Sequence, residues 1–433
     1  MKKSTCIFLV LTLVILSACS QSVQNYQDTQ VNNNSANVIL PQVNVQNRNA
    51  KLVLKQTINK SSSGLTVIDK IGENYYGVLS EYNEKYGGIV NTDVIYNSTK
   101  DEITPISYPN NLSNWQVSSG SYVVLEERYL YEWKCYSTQS SKTTVYDMKL
   151  TCIDTKDGKV SIVYETELTT PLVYLYKIDD KKFLSYYLVQ TESENTEYAT
   201  LTVAEVISAD GTSKEIIREV YENNVNWENS TGTLLERLVV FDGNIYGFGR
   251  KRIDNKYRFF FYRYTLNGEF IDEEYLSGFD EIIKSEQPLD FFLTDDYIII
   301  RTYESLSTFI CQMTDDGVDL IAKGENGNIS YGFNANIQSL KYVFFIEKNV
   351  DDNDKIKNKD CPLYVINTQS KKISTIKISV PLENPYFVSF QMVSDGDLLV
   401  TYCENGSYDP LNKKIFNISN KELTVLLNNP NLS

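Results

Sequence analysis

The stretch VVFDGNI, residues 239–245, places an Asp-Gly pair between two apolar runs. Such a pair favours a two-residue β-hairpin, because the tight turn requires positive φ angles that Gly and Asp tolerate. A second turn signal, YTLNG, follows at residues 264–268. The stretch therefore predicts two hairpins in succession, which is a unit of four antiparallel strands.

Both turn signals recur along the chain. The second one ends at intervals of 49–58 residues, with a mean of 53.5, at Lys100, Gly158, Gly211, Gly268, Gly317, Lys371 and Lys421. The first recurs at Asp295 and Asp395, and in weaker form near Asn74, Gly120, Asp180 and Ser339. Seven such units account for nearly all of residues 51–433. A fixed period of this length is typical of repeat architectures.

Nearly unbroken apolar runs accompany the first hairpins: Tyr122–Leu125, Phe183–Val189, Tyr297–Ile300, Tyr342–Ile346 and Leu398–Val400. A strand without polar alternation is buried on both faces. Stacked blades of a β-propeller bury their inner strands in this way. We therefore predict an all-β fold, a β-propeller of seven four-stranded antiparallel blades. Six or eight blades, or two β-sandwiches, are the alternatives.

Three details qualify this prediction. Only Lys214–Asn224 has apolar residues at helical spacing, which allows a short amphipathic helix there. Lys51–Ile58 is an extra strand-like segment that could pair with the last blade, although the last unit is predicted to have four strands of its own. The chain resembles propellers in architecture alone, because it has no WD, kelch or Asp-box signature.

The N-terminal residues predict where in the cell the protein is located. Lys2 and Lys3 precede an apolar run from Cys6 to Leu16, followed by Leu-Ser-Ala-Cys19. The run is too short to cross a bilayer, which takes about 20 residues, and fits a signal peptide. The last four residues resemble the lipobox of bacterial lipoproteins, in which the Cys receives diacylglycerol. The resemblance implies lipidation of Cys19 and a position on the extracytoplasmic face of the cell membrane. An ordinary signal peptide is the alternative.

Residues 20–50 hold fourteen Asn or Gln among 31 residues, with Asp28 and Arg48 as their charged side chains. A segment of this composition buries too little apolar surface to fold and predicts a disordered tether. Its mean reach is on the order of 30 Å. The predicted organisation is a signal peptide over 1–18, the lipidated Cys and tether over 19–50, and a propeller domain over 51–433.

Histidine is absent from the sequence. Ser-His-Asp and Cys-His catalysis, imidazole-ligated metals and imidazole pH sensing are therefore excluded. The net charge is 41 − 56 = −15, and it becomes −17 once Lys2 and Lys3 leave with the signal peptide. A chain this acidic is a poor ligand for nucleic acid. We expect no nucleic-acid partner, no cofactor and no metal.

Five cysteines remain when Cys6 is removed and Cys19 is lipidated: Cys135, Cys152, Cys311, Cys361 and Cys403. A hairpin turning near Ser140 would pair positions that sum to about 281, whereas Cys135 and Cys152 sum to 287. These two are therefore predicted to be out of register. Small apolar side chains within strands are the favoured interpretation, and one disulfide or a zinc or nucleophilic role are the alternatives.

A basic cluster interleaved with aromatic residues covers residues 250–264. Its candidate binding residues are Arg250, Arg252, Lys256, Tyr257 and Arg258. Cations and aromatic rings together suit an anionic polymer such as a teichoic acid or an acidic glycan. In the alternative interpretation the cations line a hairpin tip and the rings pack between blades. The acidic run Asp351–Asp360 fails the calcium-loop template, because it has no Gly at the sixth position and no Glu at the twelfth.

No catalytic constellation emerges from these patterns. The leading hypothesis is a lipid-anchored, monomeric propeller that binds a protein or a cell-wall or glycan polymer. The alternative is a carboxylate-dependent glycan-active enzyme, because propellers can bring Asp, Glu and Tyr together at the channel mouth. A scaffold for envelope assembly is a third, weaker hypothesis.

Overall fold

The computed structural model of the protein describes most of the chain between residues 46 and 428. The described residues are 46–53, 64–109, 112, 116–139, 144–191, 198–223, 231–232, 234–253, 256–283, 288–293, 297–302, 307–314, 317–324, 329–332, 342–347, 360–367, 372–404 and 406–428. All further structural statements concern these residues.

Strands assemble into seven sheets in chain order. Blade one contains β2 (Leu65–Ile71), β3 (Asn74–Asn83), β4 (Gly88–Asn97) and β5 (Glu102–Pro105). Blade two contains β6 (Gln116–Leu125), β7 (Tyr129–Gln139), β8 (Thr144–Asp154) and β9 (Val160–Leu168). Blade three contains β10 (Val173–Lys177), β11 (Lys182–Thr191), β12 (Tyr198–Ser208) and β13 (Ser213–Asn223), with a two-residue β14 (Thr231–Gly232) at its edge. Blade four contains β15 (Leu234–Phe241), β16 (Asn244–Ile253), β17 (Lys256–Thr265) and β18 (Phe270–Tyr275).

The remaining three blades follow the same order. Blade five contains β19 (Pro288–Leu293), β20 (Tyr297–Thr302), β21 (Thr308–Thr314) and β22 (Gly317–Gly324). Blade six contains β23 (Ile329–Gly332), β24 (Tyr342–Glu347), β25 (Asp360–Asn367) and β26 (Lys372–Ser379), and β1 (Gln46–Val53) adds to its edge. Blade seven contains β27 (Tyr386–Met392), β28 (Leu398–Cys403) and β29 (Lys413–Ile418). Two helices, α1 (Phe279–Ile283) and α2 (Asn420–Asn428), complete the elements.

The seven blades form a ring, and the predicted seven-bladed propeller is confirmed. Apolar side chains fill the space between neighbouring blades. At the junction of blades seven and one, for example, Leu399 and Ile415 pack with Leu65 and Tyr96. Equivalent clusters join the other neighbours around the ring. Each blade therefore buries both of its faces, as the apolar runs predict; all six residues of β28 are buried.

The ring has two faces, set by the hairpins. The lower face carries the turns between first and second strands and between third and fourth strands. The upper face carries the turns between second and third strands. Lower-face turns of blades one and seven are in contact. The backbone N–H of Gly72 in blade one donates to Asp395 Oδ1 in blade seven at 3.2 Å. At the turn quoted first, Asp242 and Gly243 have φ angles of 42° and 70°, as a two-residue hairpin requires.

The prediction of a fourth strand in the seventh unit is wrong. Helix α2 follows β29 there instead of a hairpin. Ser419 and Glu422 form a capping box, in which the Glu422 N–H donates to Ser419 Oγ at 3.2 Å and the Ser419 N–H to Glu422 Oε2 at 3.3 Å. Leu423 and Leu427 bury one side of the helix in the core between blades six and seven. The Ser-Asn-Lys run thus begins a helix rather than a turn.

Other local predictions also change. The first turn of blade two lies at Glu126–Arg128, not near Gly120, because Glu126 and Glu127 adopt left-handed φ angles of 53° and 50°. Lys214–Asn224, where a short helix was allowed, forms strand β13 up to Asn223, with a bulge that breaks its alternation near Glu215. The extra N-terminal strand pairs with blade six rather than with the last blade. It begins at Gln46, five residues before the predicted start of the domain at Lys51.

Two glycines of the second turn signal are required by packing against the preceding blade as well as by the turn itself. A Cβ on Gly211, which has a φ of 86°, would lie 1.9 Å from the carbonyl oxygen of Val163 in the preceding blade. A Cβ on Gly268 would lie 2.0 Å from the carbonyl oxygen of Ile216, also in the preceding blade. These turns therefore pack against the outer strand of the neighbouring blade, where a side chain does not fit.

We predict that Gly211→Ala destabilises the protein more than Gly243→Ala. Both changes place an L-residue in the left-handed region, at about 1–2 kcal/mol. The space around Gly243 is open, whereas Gly211 meets Val163, and overpacking adds about 1–3 kcal/mol. Urea unfolding of the full chain measures both variants. Equal losses would contradict the packing role of Gly211.

Candidate functional site

Blade one carries a polar cluster at each of its two junctions. The first, the closure cluster, joins blade seven to blade one and comprises Asp69, Lys70, Ser394, Asp395 and Asp397. Asp69 is 0% exposed and accepts hydrogen bonds from the backbone N–H of Ser394 at 2.7 Å and of Lys70 at 2.8 Å, and from the Ser394 hydroxyl. Lys70 Nζ lies 2.9 Å from Asp395 Oδ2 and 2.7 Å from Asp397 Oδ2.

Burial dominates the chemistry of Asp69. It raises the pKa of this carboxyl from 3.8 to about 7, and the hydrogen bonds from Ser394 offset this only in part. Asp397 is held by other partners too, since Asn417 Nδ2 and the Asn420 N–H each donate to it at 2.9 Å. The closure cluster thus ties the inner strand of blade one to the first turn of blade seven and to the start of α2.

The second cluster, the seam cluster, lies between blades one and two and comprises Tyr76, Asp93, Tyr108, Glu132 and Lys134. Glu132 is 2% exposed, and both of its carboxylate oxygens accept hydrogen bonds, from Tyr76 at 2.7 Å and from Tyr108 at 2.9 Å. Lys134 is 1% exposed and lies 3.1 Å from Glu132 and 3.0 Å from Asp93. Lys134 Nζ also stands 4.3 Å from the centre of the Tyr108 ring.

Burial and neighbouring charges shift the pKa values of Tyr76 and Lys134. Burial and the Glu132 carboxylate raise the pKa of Tyr76 well above its usual 10, so its hydroxyl stays a donor. Burial alone would lower the pKa of Lys134, but Glu132 and Asp93 raise it above its usual value, so the lysine stays charged. Both oxygens of Glu132 thus accept hydrogen bonds within the cluster. The arrangement stabilises the junction and keeps Glu132 away from solvent.

Above the seam cluster, the same two blade faces continue to the upper face of the ring. Side chains alternate along a strand, so Tyr82 lies on the same side of blade one as Tyr76, and Tyr136 on the same side of blade two as Glu132. Tyr82 is 59% exposed and Tyr136 is 50% exposed. Ile89, the cross-strand partner of Tyr82, is 46% exposed. Exposed apolar side chains therefore border the upper end of this junction.

The end of the β3–β4 hairpin projects as a two-stranded ribbon. Strand β2 pairs with β3 only as far as Leu79, and β5 pairs with β4 only as far as Val94. Among the described strand pairs, residues 81–91 therefore pair only within the hairpin. Tyr86 in its turn is 72% exposed. We call residues 81–91 the tyrosine ribbon.

A second ribbon projects from blade four on the same face, and it holds most of the predicted binding residues. Residues 251–258 pair only within their hairpin among the described strand pairs, with Lys251 opposite Arg258 and Arg252 opposite Tyr257. Arg258 donates to the Tyr275 hydroxyl at 3.1 Å. The side chains of Arg252, Lys256 and Tyr257 lie outside the described residues. We call residues 251–258 the basic ribbon.

Arg250 differs from the other candidates. It is 7% exposed and its guanidinium lies 2.9 Å from Glu236 Oε1 within blade four. Nearby cations have carboxylate partners as well, since Lys251 pairs with Glu273 and Arg263 with Asp272. Local carboxylates therefore reduce the positive charge that the sequence suggested. Ligand binding by the five candidate residues stays a prediction.

Cysteine predictions hold for the residues that the structure describes. Cys135, Cys152, Cys311 and Cys403 are free thiols. Cys135 pairs with Met148 and Cys152 with Tyr131, so the two cysteines are out of register as expected. Burial raises the pKa of Cys311 to about 12, which keeps it protonated. The side chain of Cys361 lies outside the described residues.

Three further predictions fall mostly outside the described part of the chain. Cys19 and the signal peptide lie there, as do residues 351–359 of the acidic run. Where the chain is described, no group of three or more Cys, Asp or Glu side chains could hold a metal ion. The two helices in the described segments are both too short to span a bilayer.

Sequence reasoning missed both polar clusters and the tyrosine ribbon. A signal for the clusters was present, because Asp69 and Lys70 interrupt the run LTVIDKI, and Glu132 and Lys134 interrupt YLYEWKCY. Charges inside a doubly buried strand need partners. The sequence did not indicate those partners, since they come from other blades. The exposure of Tyr82 and Tyr86 depends on the lengths of β2 and β5, which no composition rule gives.

Comparisons with known proteins found similar solved structures but no matching sequence. The chain matches no known protein family profile and no curated protein. Among solved structures it is similar to the β-propeller domain of the Trilobed protease from Pyrococcus furiosus, at 12% identity and a TM-score of 0.44 over 82% of this chain and 92% of that one. An acylaminoacyl peptidase from Pyrococcus horikoshii has 12% identity and a TM-score of 0.43 over 81% of this chain and 51% of that one. An oligogalacturonate lyase solved with manganese has 10% identity and a TM-score of 0.41 over 86% and 89%.

We predict that Lys134→Met destabilises the protein by about 3–5 kcal/mol, because it leaves Glu132 buried beside Asp93 without a cation. The control is Lys149→Met. Lys149 is the cross-strand neighbour of Lys134, but it pairs with Glu165, whose side chain is 59% exposed. Such a pair contributes at most about 1 kcal/mol. Urea unfolding at pH 7 measures both, and a similar loss in the two variants would contradict the structural role of the seam cluster.

The raised pKa of Asp69 predicts a pH-dependent stability. Unfolded Asp69 releases its proton near 3.8 and folded Asp69 near 7. The unfolded state therefore binds fewer protons between these values, and this group's contribution to the free energy of unfolding falls as pH rises from about 4 to about 7. Three pKa units correspond to roughly 4 kcal/mol.

Asp69→Asn is expected to remove this dependence, because the amide keeps the hydrogen bonds of the protonated acid and cannot ionise. Urea unfolding at pH 5 and pH 8 measures the difference. The variant should be close to the parent at pH 5 and more stable than the parent at pH 8. An Asn variant that is less stable than the parent at pH 8 would contradict the raised pKa.

Proposed function

We propose that the protein is a lipid-anchored extracytoplasmic β-propeller that acts as a binding module for a protein or for a cell-wall or glycan polymer. The membrane anchor is Cys19, as the lipobox-like sequence implies. The ligand is held on the upper face of the ring. The observation that supports this proposal most directly is the tyrosine ribbon, which exposes Tyr82, Tyr86 and Ile89 to solvent beside Tyr136.

Physical reasons favour this surface for binding. Exposing large apolar side chains costs free energy, since burying one stabilises by about 1.5–3 kcal/mol. Tyrosine adds a hydroxyl and a flat ring with few rotatable bonds, and it is enriched at binding hot spots. Among the described strands, β2 and β5 do not extend alongside the ribbon, which leaves its side chains exposed. The basic ribbon of blade four lies on the same face and is a second point of contact.

The two most deeply buried carboxylates of the described chain point the same way. Glu132 and Asp69 are buried and take part in hydrogen bonds that join blades. A general acid or base must reach the atom that it protonates or deprotonates. These two carboxylates face side chains of neighbouring blades, which suits a structural role.

Binding is tested with the full chain and the variant Tyr82→Ser/Tyr86→Ser/Tyr136→Ser. The probe is the isolated cell envelope of the source organism, and binding is measured by co-sedimentation. Loss of two or three hot-spot rings predicts a decrease in affinity of about tenfold or more. The matched control is Phe270→Ser/Ile271→Ser, which removes side chains that are 57% and 42% exposed on the outer edge of blade four.

Equal binding by the parent and both variants would contradict the role of the tyrosine ribbon. Release of sugars from envelope glycans by the purified chain, lost on a change of one Asp or Glu, would contradict the binding-module proposal and favour the glycan-active enzyme. Lipidation is tested separately with Cys19→Ala, which should abolish attachment of diacylglycerol and accumulate the unprocessed form.

A further inference from the structure

The path of the N-terminal strand indicates where the anchored end of the chain leaves the ring. Strand β1 runs parallel to β26, with Gln46 opposite Ser374 and Val53 opposite Ser379. Strand β26 begins directly after the turn between the third and fourth strands of blade six, which belongs to the lower face. Gln46 therefore lies near the lower face.

The tyrosine ribbon lies at the opposite end of the strands. It is the turn end of β3 and β4, each of which has ten residues. Ten residues of strand span about 33 Å. Twenty-six residues separate Cys19 from Gln46, and a chain of that length has a mean reach of about 28 Å. On average the segment is thus too short to carry the anchor from the lower face past the upper face.

We infer that the lower face is turned toward the bilayer and that both ribbons point away from it, which rests on the proposed lipidation of Cys19. The parallel pairing of β1 with β26 supports this orientation, because it begins β1 at the lower face. An antiparallel pairing would have begun β1 on the ribbon side. The ligand of the ribbons is therefore a macromolecule that approaches from the side away from the membrane, rather than a lipid.

Two labelling positions within blade one test the orientation. Glu84 is exposed in the turn of the tyrosine ribbon, and Thr99 is exposed in the turn at the other end of β4. Neither change alters Tyr82 or Tyr86. The lipidated full chain, carrying Glu84→Cys or Thr99→Cys with a donor dye, is reconstituted in phosphatidylethanolamine–phosphatidylglycerol vesicles that contain an acceptor-labelled lipid. The parent chain under the same labelling gives the background of its own cysteines, of which Cys135, Cys311 and Cys403 are buried.

Energy transfer to the lipid should be about twofold or more higher from Thr99 than from Glu84, because the two positions are about 33 Å apart along the strands. Deleting residues 24–39 should increase this ratio. Equal transfer, or higher transfer from Glu84, overturns the orientation while leaving the anchor in place. Absence of transfer from both labels, matching the result with Cys19→Ala, overturns the anchor itself and the orientation with it.

Discussion

Closure of the ring between blade seven and blade one is the constraint on which the structure depends. In the described chain these two blades share no strand, since the N-terminal strand β1 adds to blade six instead. The junction is held by apolar packing and by the buried Asp69, which Ser394 contacts across 325 positions of sequence. A buried carboxylate is costly unless its hydrogen bonds are satisfied. Its directional bonds therefore fix how blade seven meets blade one, which apolar contact alone specifies less tightly.

Blade one is consequently held by polar clusters on both sides. Toward blade two, the junction has the apolar contacts of Ile95 and Leu130 near the lower face and the exposed Tyr136 near the upper face, with the seam cluster between them. This gradient follows the alternation of side chains along β3 and β7. The same strands that bury the charges thus carry the exposed tyrosines. Stability of the junction and presentation of the candidate surface are coupled through these strands.

Sequence reasoning predicted the features that local chemistry decides. Asp242-Gly243 gave a correct turn because positive φ leaves few alternatives. Prediction from sequence failed at Glu126 and Glu127, which adopt positive φ angles that Glu usually avoids. It also failed at Ser419, which can begin either a turn or a helix. The polar clusters could not be paired from sequence, because their members lie on different blades. The basic hairpin was found from its composition, but the burial of Arg250 against Glu236 required the fold.

The absence of histidine can be related to the buried carboxylates of these clusters. In a chain without imidazole, proton transfer near neutral pH requires another group whose pKa is shifted toward 7, and Asp69 has a pKa of about 7. Its carboxyl is 0% exposed and lies at the closure of the ring, so its titration changes the stability of the fold rather than a bound substrate. Glu132 is bonded on both oxygens. The exposed side chains described on the upper face include Tyr82, Tyr86 and Tyr136, which suit binding, and the parallel course of β1 begins that strand at the lower face.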